Sequence, residues 1–128
     1  MIYESGWYDL EVDANSVLKQ WRWTAREAKC VIDNPKRDAL LVIKGGVNLA
    51  AVKDQKITFK INDLVLDEFI APQELFEKSY NIKKEMLGDA NEFYLTIGAD
   101  PSWVPAKVIP NSTDERELGA QISFIYFR

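Results

Sequence analysis

The chain has 128 residues, 47% hydrophobic and 28% charged, with 16 Lys plus Arg against 20 Asp plus Glu for a net charge of −4. This length suits one domain that buries a core without disulfides or metals; the composition excludes wholesale disorder, and the acidic balance argues against a nucleic-acid or anionic-membrane binder, which needs a basic footprint. Histidine is absent, which removes the commonest general base and metal ligand together and excludes Ser-His-Asp, Cys-His and His-based zinc chemistry.

At the start, Met1-Ile2-Tyr3-Glu4-Ser5-Gly6 lacks the basic-then-apolar order of a signal peptide, and no apolar run reaches the length of a membrane span, so a cytoplasmic location without membrane insertion is expected. Trp21-Arg22-Trp23-Thr24 alternates bulky apolar with polar residues and predicts a strand. Cys30-Val31-Ile32 predicts the next, stopped by the turn chemistry of Asp33-Asn34-Pro35. Ala39 to Ile43 is a continuous apolar run, as in a fully buried strand, punctuated by Gly45-Gly46. Lys56 to Ile61 alternates cleanly, with Ile57, Phe59 and Ile61 on one side and Lys56, Thr58 and Lys60 on the other. Asn62-Asp63 then joins it to Leu64-Val65-Leu66 as a hairpin that lacks the usual turn glycine. Phe76 to Lys84 predicts a strand with Phe76, Tyr80 and Ile82 on one face, although residues 74–86 also suit a helix. Leu87 to Asn91 reads as a loop and Glu92 to Ile97 as a strand. Pro101, Pro105 and Pro110 make residues 99–118 a long irregular excursion. Gln121 to Phe127 predicts a last, central strand, with Ile122, Phe124 and Tyr126 opposite Ser123, Ile125 and Phe127.

About eight or nine short strands without a clear helix predict an all-β, antiparallel, jelly-roll-like (galactose-binding-like) β-sandwich. No repeat, linker or low-complexity tract divides it, so residues 1–128 are expected to form a single domain.

Aromatic rings stack on the apolar C–H faces of sugars, whose hydroxyls need polar neighbours. Trp21 and Trp23, two apart and flanked by Arg22 and Arg26, are therefore a candidate sugar platform; the alternative is that both are core and the arginines solvated. Trp7, with Tyr8 after Gly6, either rims such a site or anchors a first strand. Trp103, in the proline-rich excursion, is the tryptophan expected to face a ligand, because binding residues collect on long loops; the alternative is a hydrophobic plug. Arg116 either grips a ligand carboxylate or phosphate or caps its loop through backbone carbonyls. Arg22 and Arg26 suit a bidentate grip on a carboxylate, either Glu11 or an acidic sugar, and pairing with Glu11 is the expectation. Asp9 with Glu11, and Glu115 with Glu117, read as surface acids rather than a glycosidase pair or a calcium loop. Cys30, the single cysteine, permits no intramolecular disulfide and reads as buried and inert.

Four stretches taken together carry a likeness: Gly6-Trp7-Tyr8 with Glu11; Trp21-Arg22-Trp23-Thr24 with Arg26 and Ala28; Ile57 to Asn62 leading into Leu64-Val65-Leu66; and Trp103-Val104-Pro105-Ala106 followed by Asp114-Glu115-Arg116-Glu117-Leu118-Gly119 and the closing apolar strand. Over nearly its whole length the chain resembles a β-sandwich domain found beside or fused to bacterial glycosyltransferases and methyltransferases of surface-polysaccharide pathways. That family commonly carries Ser-Pro-Asp before Arg-Glu-Leu-Gly, whereas Ser112-Thr113-Asp114 here has no proline before the aspartate. The resemblance implies sugar-related biology and supplies no catalytic residue. The expectation is a non-catalytic carbohydrate-recognition module with no cofactor and no metal; the alternative is a scaffold domain that docks a glycosyltransferase or another protein, or self-associates. The partner is then a saccharide or such a protein, and the oligomeric state is left open.

Overall fold

Alternation of apolar with polar side chains buries one face of a strand and leaves the other to solvent, and the backbone follows that pattern through most of the chain. The computed structural model describes residues 1–128, the side chain of Val17 excepted. The strands are β1 (Ile2–Trp7), β2 (Glu11–Asp13), β3 (Ser16–Asp33), β4 (Ala39–Gly46), β5 (Lys56–Ile61), β6 (Leu64–Ile70), β7 (Leu75–Ile82), β8 (Glu92–Asp100) and β9 (Gln121–Phe127). Two single helical turns interrupt them, α1 (Lys84–Leu87) and α2 (Pro105–Val108). The protein is thus all-β with little helix, and every strand pairing is antiparallel.

The strands follow one path, β6-β5-β8-β3-β9-β4-β7, with β1 and β2 also paired to β3. Strand β3 makes this possible. Its C-terminal part, Glu27 to Asp33, pairs with β8, while Arg22 and Trp23 pair with β9. The two runs expected as separate strands, Trp21 to Thr24 and Cys30 to Ile32, are one strand of 18 residues. Between them Ala25, Arg26 and Glu27 supply no glycine, proline or asparagine to break the chain.

The sheet curls until its two ends meet. Phe59 of β5 lies 6.0 Å from the Tyr80 ring of β7, and Phe69 of β6 lies 5.4 Å from Phe76 of β7. Phe93 of β8 meets Phe127 of β9 at 5.0 Å. Ile57, Phe59, Ile61, Phe93, Leu95 and Ile97 from one part of the sheet, and Leu41, Ile43 and Ile82 from the other, are wholly buried. Each such side chain contributes about 1.5–3 kcal/mol of burial. Cys30 joins them at 0% exposure, and burial pushes its thiol up to about 12, the inert state expected of it.

Several local features depart from the sequence reading for physical reasons. Asn62 takes a positive φ of 52° in place of the missing glycine, and its Oδ1 accepts the Tyr94 amide at 3.0 Å, so the hairpin is tied to β8. Residues 75–82 are strand, with Phe76 and Ile82 buried, and helix is confined to the four residues of α1. Strand β8 runs to Asp100, and the excursion after it holds α2 and a bridge between Trp103 and Leu118. Strand β9 is central as expected, between β3 and β4. Its faces are not as expected. The register slips between Lys44↔Phe124 and Gly45↔Ile122, so Ser123 is an extra residue, and beyond such a bulge the alternation inverts. Ile122, Ile125 and Phe127 turn inward, while Phe124 and Tyr126 face solvent at 43% and 37% exposure.

Gly6 sits in β1 at φ 77°, where a Cβ would overlap the carbonyl of Glu27 on β3; Gly88 has φ 75° with open space around it. Gly88→Ala is expected to cost only the conformational strain of about 1 kcal/mol, and Gly6→Ala at least ~2 kcal/mol more through overlap. Urea unfolding of both variants checks this, and equal losses would contradict the close β1–β3 approach.

Candidate functional site

The aromatic and arginine residues singled out in the sequence divide between structural duties and an open groove. Trp103 is a plug, not a ligand-facing ring: it is 7% exposed, packs with Val52 and Leu118, and its Nε1 donates to the Gly119 carbonyl at 3.3 Å. Its backbone exchanges hydrogen bonds with Leu118 at 2.8 and 2.7 Å, so the excursion is pinned on both sides of the ring. Trp23 stands edge-on to it, centroids 5.5 Å apart, in the same satellite cluster. Trp7 anchors the first strand, with Nε1 donating to the Lys29 carbonyl at 2.9 Å and the ring edge-on to Tyr3 at 4.9 Å.

The expected Glu11–Arg22–Arg26 pairing does not form. Glu11 lies opposite Trp21 in the β2–β3 ladder and shares its side, whereas Arg22, one residue on, projects to the other face. Arg22 donates to the Tyr8 carbonyl at 3.1 Å and lies 4.6 Å over the Tyr3 ring. Arg26 meets Asp100 at 3.6 Å on the open surface, an arrangement worth little by itself.

Arg116 is held by two carboxylates, not by the backbone carbonyls of its loop. Its Nε donates to Asp114 Oδ1 at 3.0 Å, its Nη2 to Oδ2 at 2.7 Å, and its Nη1 reaches Glu11 Oε2 at 3.4 Å. The guanidinium also lies 5.2 Å from the Tyr8 ring, whose hydroxyl donates to the Glu117 carbonyl at 2.8 Å. The fork geometry raises the Arg116 pKa, chiefly through its bonds to Asp114, and lowers that of Asp114. This cluster ties the excursion to β2.

Trp21 has no such duty. It is part-buried beside a groove of about 470 Å³ at one end of β3, β4, β7 and β9. Gln20, Gln121 and Ser123 bring amides and a hydroxyl to that groove, and Leu18 and Leu75, exposed at 91% and 71%, form apolar walls. The register that sets Gly46 opposite both Gln121 and Leu75 leaves the groove without a side chain at Gly46. The Trp21 Nε1 is buried with no hydrogen-bond partner, a burden of about 1–3 kcal/mol. Further along β9, Phe124 and Tyr126 lie nearly parallel, 7° between planes with centroids 6.2 Å apart, and Lys44 sits 5.2 Å over Phe124 while also pairing with Glu77 at 3.2 Å.

Compared with known protein families and with curated proteins, the chain matches none. Its chemistry therefore has to be argued from the residues. A second groove, about 370 Å³ over β5, β6 and β8, is lined by Arg26, Lys56, Thr58, Lys60, Thr96 and Glu68 among others and contains no aromatic ring. Among the described residues no group of three or more His, Cys, Asp or Glu side chains converges to hold a metal, and no helix is long and apolar enough to cross a membrane.

Sequence reasoning reached Trp21 through its alternating strand. It missed Gln121 and Ser123, polar residues in an apolar run whose placement depends on the bulge. It also missed that Phe124 and Tyr126 are open to solvent, for the same reason.

Asp114 ionises more readily in the folded chain than its ordinary value of 3.8, so its contribution to stability is present above that value and lost as pH falls through the lowered one. Asp114→Asn is expected to flatten the loss of stability between about pH 5 and about pH 2. Urea midpoints across that range check it, and an unchanged slope would mean that the Arg116 fork does not hold in solution.

Proposed function

We propose that the chain is a jelly-roll-like, non-catalytic carbohydrate-recognition module, and that it binds a saccharide in the groove beside Trp21. The observation that carries this reading is Trp21 itself: a part-buried indole beside a groove, with an N–H that finds no hydrogen-bond partner among the described residues. Folds retain such costs where a side chain has work beyond packing. The rest of the lining suits a sugar. A ring face and two leucines match the apolar C–H faces; the side-chain amides of Gln20 and Gln121 both donate and accept, and Ser123, whose hydroxyl donates to the Lys44 carbonyl at 3.2 Å, adds an acceptor for a sugar hydroxyl. The volume, about 470 Å³, is within the usual range for small-ligand sites of about 300–1,000 Å³. The likeness of the Trp-Arg-Trp strand and the Arg-Glu-Leu-Gly lead to a domain of surface-polysaccharide systems directs the proposal to saccharides of that kind, in the cytoplasm where they are assembled.

A specific observation favours a second reading, a docking domain for a glycosyltransferase, for another protein or for a second copy. Leu75 and Leu18 are largely exposed, and Leu75 begins β7, which ends the strand path and has one unpaired edge. An exposed edge beside apolar side chains accepts an added strand.

Titration with a panel of neutral and acidic oligosaccharides, read on the indole N–H signals by NMR, separates the two. Saturable shifts at Trp21, with Trp7 and Trp103 unmoved, are expected, and Trp21→Ala is expected to weaken binding about tenfold or more. A panel that moves no indole signal would overturn the recognition reading and leave the docking domain.

A further inference from the structure

The arginines offer a second line of argument. The chain has five. Arg22, Arg26 and Arg116 are committed to Tyr8, Asp100 and the Asp114–Glu11 pair. Among the described residues the guanidinium groups of Arg37 and Arg128 have no hydrogen-bond, ion-pair or ring partner, and both are exposed. These two line the same cleft, about 440 Å³ in volume, at the far end of β9, with Tyr126, Pro35 and Ile125 as its apolar wall. Asp33 is the one acidic side chain in that lining. The cleft therefore carries a local positive excess on a chain whose net charge is −4, and no carboxylate of the chain occupies its two forks.

The position of this cleft matters as much as its charge. Ser123 lines the Trp21 groove, Phe124 stacks on Tyr126, and Tyr126 lines the cleft. The seven residues of β9 span about 20 Å, and along them runs a sequence of groove, aromatic stack and cationic cleft. That length and order suit several linked sugar rings rather than one, with an acidic group at the Arg end.

We propose that Arg37 and Arg128 bind the carboxylate of a uronic-acid residue within an oligosaccharide that lies along β9, its neighbouring ring against Tyr126. This rests on the reading of the Trp21 groove as a saccharide site and adds the chemical class of the ligand. Guanidinium forks suit a carboxylate because two parallel N–H donors match its two oxygens, and the adjacent ring face supplies the apolar contact that a free anion would not use.

The test uses the full chain, a short oligogalacturonate, the same oligomer fully methyl-esterified, and the double variant Arg37→Gln/Arg128→Gln, whose native fold is checked by its melting curve. The acidic oligomer is expected to bind about tenfold or more tightly than the neutral ester at low salt, the preference shrinking as salt rises. In the double variant the preference should disappear while the ester still binds. Equal affinity for acid and ester, or a preference that survives in the double variant, would overturn the proposal and leave the Trp21 reading intact. Binding of the acid that depends on the arginines but is unchanged in Trp21→Ala would support the cleft and sink the Trp21 groove instead. Binding of neither oligomer overturns the proposal, and the wider neutral panel then decides the fate of the groove.

Discussion

Between Thr24 and Glu27, strand β3 leaves one set of partners and takes up another, and that exchange has to be held by hydrogen bonds the curled sheet cannot supply from a regular ladder. Thr24 supplies them. It is wholly buried, its amide donates to the Ala120 carbonyl at 2.8 Å, its carbonyl accepts the Gly119 amide at 2.6 Å, and its hydroxyl accepts the Ala120 amide at 3.1 Å. A buried hydroxyl is tolerable only when so bonded. The clamp seats the residues before β9 against the middle of β3, which sets Gln121 opposite Trp23 and Gly46. The Trp21 groove lies where that pairing stops: Arg22 and Trp23 pair with β9, and the residues of β3 before them, Leu18 to Trp21, line the groove together with Gln121 and Ser123.

The bulge at Ser123 is the second constraint, and it decides which side chains of β9 are buried. Without it the alternation of β9 would carry Phe124 to the same side as the buried Ile122. With it, Ile125 and Phe127 pack against the core, Phe127 at 5.0 Å from Phe93, and Phe124 and Tyr126 are left partly in water instead. Bulges are common where a sheet re-aims side chains at a site.

How much of this was legible in the sequence follows from how local each cause is. Strands β5 and β9 begin and end where their composition says, because alternation and flanking turn residues act within a few positions. The hairpin at Asn62 was legible too, since asparagine tolerates a positive φ. The length of β3 was not, because nothing in Ala25-Arg26-Glu27 records that a strand changes partners there. Trp103 was misread for a related reason. Prolines on both sides mark a loop, but whether a loop folds outward or back over the sheet is decided by its bridge to Leu118, 15 residues away. The bulge in β9 had no local signature either, as Ser123 is an ordinary strand-face residue.

The arginines show the same division. Arg22, Arg26 and Arg116 drew attention because tryptophans and acids surround them in sequence, and those surroundings are what satisfies a guanidinium within the chain: the Tyr8 carbonyl and Tyr3 ring for one, Asp100 for another, a bidentate Asp114 for the third. A cation with a close partner has a carboxylate or carbonyl to lose before it can take a ligand, and that exchange returns little net energy. Arg37, after β3, has Asp33 and Asp38 near it in sequence, but Asp38 is taken by Lys83 at 3.7 Å and by the Lys84 amide at 2.8 Å, and among the described residues neither Arg37 nor Arg128, after β9, has an ion-pair partner. They come together only because antiparallel pairing returns the end of β9 to the start of β4, where the Leu40 and Arg128 backbones exchange hydrogen bonds at 2.7 and 3.0 Å. The chain has no histidine, and among the described residues no metal-ligand cluster forms; what this fold sets along and beside β9 is aromatic faces, amides and two uncommitted cations.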